Sequence, residues 1–341
     1  VCERQQASER MNERHSFTRS LSHAAAMGQD LSTAMLLASF NGDLRTVESL
    51  VGRGVSVNLA NEYGRTPLHR SAFSGHLPVV QYLVAQKAAI DARNTYQWTP
   101  AHSAASEGHA EVLDYLLSCK ADARAVTDQG ATMLHLAAEN GHVKMLEHLI
   151  STLDASVSEL DLHYNTPLHR ACDNGHLAAV EFLVEHGAAI NARNGAGETP
   201  LFLAARKGRT MTVQALLEYG ASHAARTELG ATPLMACADK GHVQVAQLLL
   251  ASNADPNAAD NFGMTALHWS SHSGHLELAQ LLVDAGASMT VRDVRIVTLS
   301  VPDTCCASSM PLTRAPVPPL LFCSVLFCSV LCCSVLKCWL V

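Results

Sequence analysis

Residues 66–84 read TPLHRSAFSGHLPVVQYLV, and residues 166–184 read TPLHRACDNGHLAAVEFLV. In the same register stand TPAHSAASEGHAEVLDYLL from Thr99, TMLHLAAENGHVKMLEHLI from Thr132, TPLFLAARKGRTMTVQALL from Thr199, TPLMACADKGHVQVAQLLL from Thr232 and TALHWSSHSGHLELAQLLV from Thr265. Thr33, Thr66, Thr99, Thr132, Thr166, Thr199, Thr232 and Thr265 open these phrases at steps of 33 residues, with one step of 34. A period of that size marks small units stacked into a solenoid.

The phrase itself predicts two helices. A threonine hydroxyl accepts from an orphan amide of a first turn, and a proline placed next has no amide to lose, so each phrase starts a helix. That helix is short, because Gly75, Gly108, Gly141, Gly175, Gly208, Gly241 and Gly274 each follow their threonine by nine residues, where a left-handed turn is easiest for glycine. A second helix follows, with a core stripe expected at Leu77, Val80, Leu83 and Val84, or at Val243, Ala246, Leu249 and Leu250. Gly54, Gly187, Gly220 and Gly286, with Asn253 as a substitute, end it. Polar stretches such as AAINARNGAGE then lead to the next threonine as turns or hairpin fingers. Helices shorter than roughly 12 to 15 residues are marginal alone, so stacking must stabilise the units. The extra residue between Thr132 and Thr166 puts Leu153 where the next unit has Gly187, which predicts a lost left-handed cap and an irregular stack at 151–158.

The T-P-L-H-x-A phrase at this period resembles the ankyrin repeat, over residues 31–293. The resemblance implies an all-α solenoid of about eight helix-turn-helix units joined by hairpin-like loops. A polar extension (1–30) precedes it and an irregular Pro- and Cys-rich apolar tail (294–341) follows. It also implies that partners are held by the fingers and by the first helices on the concave face. At those positions stand Tyr63, Arg65 and Phe73 in the second unit and Tyr96 and Trp98 in the third, in a chain with 5% aromatic residues. We expect these five residues to anchor a protein or peptide, with Phe73 or Trp98 alternatively packed into the stack. Asn58, Asn191 and Asn257 occupy the finger position at which ankyrin-like domains can be hydroxylated by 2-oxoglutarate-dependent asparaginyl hydroxylases; the competing reading is a structural turn asparagine.

Composition favours an interaction scaffold over an enzyme. The formal charge is −7, of which the array carries −9, and an acidic array repels phosphate backbones. Nucleic acid is therefore not the expected partner. Of 11 cysteines only Cys119, Cys172 and Cys237 lie in the array, where we expect buried reduced thiols. His268, His272 and His275 lie close together, yet 11 of the 18 histidines recur at the fourth phrase position or after the turn glycine. They read as structural hydrogen-bonding groups, with no metal site. Glu139, Asp173 and Asp239 recur seven residues after their threonines and read as a solvated face. Gly195 and Gly197 form a G-x-G, but Pro200 and the lack of a preceding strand argue against a dinucleotide loop. No catalytic residue, cofactor or small-molecule substrate is expected.

Residues 1–20 are charged and polar with no secretory signal, and the chain, beginning with Val, reads as a fragment. In the tail, residues 315–336 are uncharged and long enough to span a bilayer, but the CSVL unit recurs every five residues at Cys323, Cys328 and Cys333, which matches neither helix nor strand. We read the tail as non-native in preference to an anchor, so membrane contact is expected only if 315–341 is real. The overall expectation is a cytoplasmic or nuclear adaptor. The alternatives are the targeting arm of a larger enzyme, such as a kinase or ubiquitin ligase, and a membrane-tethered adaptor.

Overall fold

The computed structural model describes residues 31–289, which fall into two compact units, 31–195 and 196–289. The first holds five helix pairs: α1 (Leu31–Asn41) and α2 (Leu44–Gly52), α3 (Pro67–Phe73) and α4 (Leu77–Ala85), α5 (Pro100–Glu107) and α6 (Ala110–Ser118), α7 (Met133–Glu139) and α8 (Val143–Leu153), α9 (Pro167–Asn174) and α10 (Leu177–Glu185). The second holds three: α11 (Pro200–Arg206) and α12 (Thr210–Glu218), α13 (Pro233–Lys240) and α14 (Val243–Ala251), α15 (Ala266–His272) and α16 (Leu276–Asp284). Among the described residues the only β feature is an isolated antiparallel bridge between Ala259 and Thr265. Expectations about the extension at 1–30 and the tail from Val294 concern residues outside those described.

Within each unit the first helices pack in a row, α1 on α3, α3 on α5, α5 on α7 and α7 on α9, and separately α11 on α13 and α13 on α15. Small side chains make this close row possible. Ala101, Ala104 and Ala105 of α5 are fully or almost fully buried, as are Leu134, Ala137 and Ala138 of α7. The second helices bury one side only. Their core residues are Val79, Val80 and Leu83 in α4 and Val245, Ala246 and Leu249 in α14. The buried stripe is thus turned by about one residue from the expected one: Leu77, Val84, Val243 and Leu250 flank it, half-buried. The cause is burial on two sides, against the unit's own first helix and the neighbouring second helix, which selects i, i+1 and i+4.

The threonine caps form as expected. Thr66, Thr99, Thr166, Thr199 and Thr232 each accept from the amide three residues on. Thr33 differs. It lies inside α1, as the third residue of a helix that starts at Leu31, and no proline follows it to fix a first turn. The turn glycines adopt positive φ, Gly75 at 76° and Gly175 at 80° among them, and at Gly75 an added Cβ would stand 2.6 Å from the ring of His109.

The 34-residue step keeps its left-handed cap, contrary to expectation. Helix α8 runs two residues longer than α4, α6 or α10, and Asp154 takes the left-handed conformation with φ 53°. A short acidic side chain tolerates that region, so the cap moves one residue onward and survives.

Candidate interaction surface

Five fingers are each folded on their own first polar side chain. Oδ1 of Asn61 accepts from the amides of Tyr63 (3.1 Å) and Arg65 (2.9 Å), Oδ1 of Asn94 from Tyr96 and Trp98 (2.9 Å each), and Asp161 and Asp260 repeat the pattern. Oγ1 of Thr127 does the same for Gln129 and Ala131. The turn closes through pairs such as Asn94 N–H to the Trp98 carbonyl at 3.0 Å. Consecutive fingers are then joined by one backbone bond each: Thr95 N–H to Tyr63 O (3.0 Å), Asp128 N–H to Tyr96 O (3.0 Å) and Leu162 N–H to Gln129 O (2.8 Å) in the first unit. Glu228 N–H to Ala196 O and Asn261 N–H to Leu229 O do so in the second.

The phrase histidines tie helix to finger. Nδ1 of His69 lies 3.2 Å from the Thr66 amide, and its Nε2 lies 2.9 Å from the Trp98 carbonyl in the next finger. His102 and His135 reach the carbonyls of Ala125 and Asn165 in the same way. Burial pushes the pKa of His69 and of His102 down to about 4, against the opposing effect of those carbonyls, so both rings are neutral at physiological pH. The histidines after the turn glycine reach back one unit: His76 to Phe40 O, His109 to Phe73 O and His275 to Asp239 O. His275 is thereby engaged with backbone, and among the described residues no group of three or more His, Cys, Asp or Glu could hold a metal.

The predicted anchors are all half-buried. Phe73 stacks on Phe40 of the preceding unit with centroids 6.2 Å apart, and the guanidinium of Arg70 lies over the Phe40 ring at 5.5 Å. Arg65 covers the Tyr63 ring at 5.8 Å, and Trp98 lies tilted against His102 at 6.4 Å. Tyr63 and Tyr96 occupy equivalent positions on adjacent, hydrogen-bonded fingers. The five residues thus lie on neighbouring repeats of one unit, with the side chains of Tyr63, Arg65, Phe73 and Trp98 each against another side chain of the stack.

The asparagines proposed as modification sites are exposed. Two of them clamp successive turns. Asn58 Oδ1 accepts from Ala89 N–H at 2.8 Å; Asn257 Oδ1 accepts from Ser288 N–H while its Nδ2 donates to Gly286 O. Asp91 accepts from Asp122 N–H in the same manner. Cys172 and Cys237 are buried, and desolvation raises both thiol pKa values, whereas Cys119, at the end of α6, is only half-buried. The acidic residues read as a solvated face are also half-buried. Asp239 pairs with Lys240 at 2.8 Å and accepts from Ser273 Oγ, and Glu139 lies 3.9 Å from Arg170. Stacking places the next unit beside them.

Leu160, Leu162 and Tyr164 were missed by sequence reasoning: one finger exposes three large apolar side chains, at 52%, 68% and 60%. The signal is present two, four and six residues before each threonine, where most other fingers carry glycine, alanine or a polar residue.

Stacked short helix pairs, hydrogen-bonded fingers and threonine caps recur through both units, and the family model for ankyrin repeats matches overlapping segments that together run over residues 7–293. The chain belongs to the ankyrin-repeat family. No curated protein matches it. Ankyrin repeats are generally protein-protein interaction modules and are typically non-catalytic. Among the described residues no helix is long and apolar enough to cross a membrane.

Proposed function

We propose that the protein is a non-catalytic adaptor that captures a protein or peptide across its second and third ankyrin repeats, through Tyr63, Arg65, Phe73, Tyr96 and Trp98. The observation that carries this reading is the placement of four aromatics, each half-buried, on consecutive repeats whose fingers are tied by the Thr95–Tyr63 backbone bond. Large aromatics held on one face by the fold and open on the other lose little entropy on binding, the usual character of hot spots. The net acidity of the array sets nucleic acid aside as the main partner.

Proximity labelling followed by pull-down would name the partner, and calorimetry with purified components would locate it. Trp98→Ala should weaken binding by about 2 kcal/mol or more and leave the thermal transition nearly unchanged, because the bond from His69 is made to the Trp98 backbone carbonyl. Unchanged affinity with a markedly lower transition would assign Trp98 to the stack.

A further inference from the structure

We infer a second docking site on this chain, separate from the aromatic strip: the finger at 160–164, which takes an amphipathic, positively charged protein segment. Tyr164 has φ 60°, a left-handed conformation costly for a bulky side chain, at the finger position where Gly64, Gly130, Gly197, Gly230 and Gly263 stand. Leu162, with Leu160 beside it, takes a place held elsewhere by Glu62, Thr95, Asp128 or Glu228. A fold that needed only a turn would carry glycine and polar residues here. Strain retained together with exposed apolar surface is the combination found at ligand sites.

The neighbouring fingers open the surface. A Cβ on Gly130 would stand 2.9 Å from Leu162 Cγ, and one on Gly195 would stand 3.4 Å from the Tyr164 ring. Both side chains thus lie against glycine backbone on either side of their own finger, and the patch is continuous over three fingers. Its main chain is already engaged. Leu162 N–H reaches Gln129 O, Tyr164 N–H reaches Asp161 O, and His163 O receives Gly195 N–H at 2.9 Å. An added β-strand therefore finds no edge, and recognition proceeds through side chains. The finger is rigid as well, because the Asp161 carboxylate that organises it takes two bonds from Arg170, at 3.1 and 2.6 Å.

Charge and area identify the occupant. Residues 31–195 contain 11 Lys and Arg against 17 Asp and Glu, a net charge of −6, and exposed Asp128 and half-buried Glu159 border the patch. Arg193 marks the opposite border. A second copy of the chain would bring the same acidity. Three side chains also offer only a few hundred Å², against about 800 Å² per partner in a stable pair. A single segment with leucine-like residues on one face and lysines around them satisfies both conditions.

The test uses the full chain and a fluorescent synthetic peptide of leucine and lysine with leucines at i, i+3, i+4 and i+7, beside serine-lysine and leucine-glutamate controls. Wild type should bind the leucine-lysine peptide at least tenfold more tightly than either control. Leu162→Ser and Tyr164→Gly should each weaken it about tenfold while melting no lower than wild type. Trp98→Ala should leave it unchanged, which separates this site from the aromatic strip. Equal binding of the serine-lysine peptide, or undiminished binding by both finger variants, would overturn the proposal. So would a dimer in sedimentation velocity that Leu162→Ser abolishes, since the finger would then be a contact between copies.

Discussion

The step from Thr66 to Thr99 takes 33 residues and the step from Thr132 to Thr166 takes 34, yet both end with the same histidine bond to the next finger, His69 to Trp98 O at 2.9 Å and His135 to Asn165 O at 3.0 Å. The difference is confined to the end of the second helix. In the shorter step α4 stops at Ala85, Lys87 turns left-handed, and Lys87 and Ala88 each make a 2.9 Å bond back into the helix. In the longer step α8 continues to Leu153, Asp154 turns instead, and both it and Ala155 turn to the Leu149 carbonyl, Ala155 at 3.4 Å. An insertion is absorbed where a helix can lengthen into solvent. It is not absorbed in the finger, which is pinned by its neighbour, by its Asx turn and by the histidine.

The largest expected effect tests what the two steps share. His69 and His102 sit near pKa 4 in the fold because burial opposes the charged ring, whereas an unfolded histidine titrates near 6.5, and burial lowers His135 as well. The unfolded chain therefore takes up protons first. Stability is complete above about pH 6.5 and is lost as pH falls towards 4, by about 3 kcal/mol for each of His69 and His102. Urea unfolding at a series of pH values from 7.5 to 4.5 should show this fall, and His102→Phe, copying Phe202 in the equivalent position, should make it shallower by the share of His102, leaving that of His69 and His135. A flat profile in the wild type would show that these rings are not the common clamp. Asp161 acts in a lower window. Burial pushes its pKa up, but bonds from Asn165 and Arg170 outweigh that and hold it below the usual carboxylate range, so its contribution is present above about pH 3.8 and lost below.

A smaller effect separates the two steps. The longer one replaces two short capping bonds with a shared carbonyl, and a hydrogen bond of this kind contributes about 0.5 to 1.5 kcal/mol net. Amides at 151–158 should therefore exchange roughly tenfold faster than those at 85–92, measured by hydrogen exchange at neutral pH. Equal protection would mean that the moved cap at Asp154 fully restores the junction.

What the sequence revealed, and what it hid, follows the same division. The caps at Thr66 and Thr166, the turn glycines and the bond of His69 to its own Thr66 depend on residues within one repeat, so the phrase displays them, whereas the second bond of His69, to the Trp98 carbonyl, crosses to the next finger. The stacking of Phe73 on Phe40, and the one-residue rotation of the stripe to Val79, Val80 and Leu83, depend on the neighbouring repeat. A repeat read alone does not contain that information. Asp154 was hidden for a different reason: fixed register looks for the cap at Leu153, whereas the chain solves the insertion by sliding the cap along. The apolar finger at Leu160, Leu162 and Tyr164 was hidden because only Leu162, four residues before Thr166, stands in a column that the family resemblance marks as partner-facing, and one leucine there does not reveal that Leu160 and Tyr164 are exposed beside it.

The smallest effect decides whether the longer step is weak because of its cap residue or because of its shared carbonyl. Lys87 and Asp154 are both non-glycine residues in left-handed conformation, at φ 64° and 53°. Glycine relieves the steric cost of that conformation but adds freedom to the unfolded chain, so the net gain is small. Aspartate tolerates the region better than lysine, which places the larger gain at the regular step. Lys87→Gly should raise stability by about 0.5 to 1 kcal/mol and Asp154→Gly by only a few tenths, read from urea midpoints at constant slope. On that outcome the strain at Asp154 is minor, and the fast exchange at 151–158 follows from the single carbonyl of Leu149 shared by Asp154 and Ala155, where α4 offers two. A gain at Asp154 as large as that at Lys87, accompanied by slowed exchange at 151–158, would reverse the assignment and place the weakness in the cap residue itself.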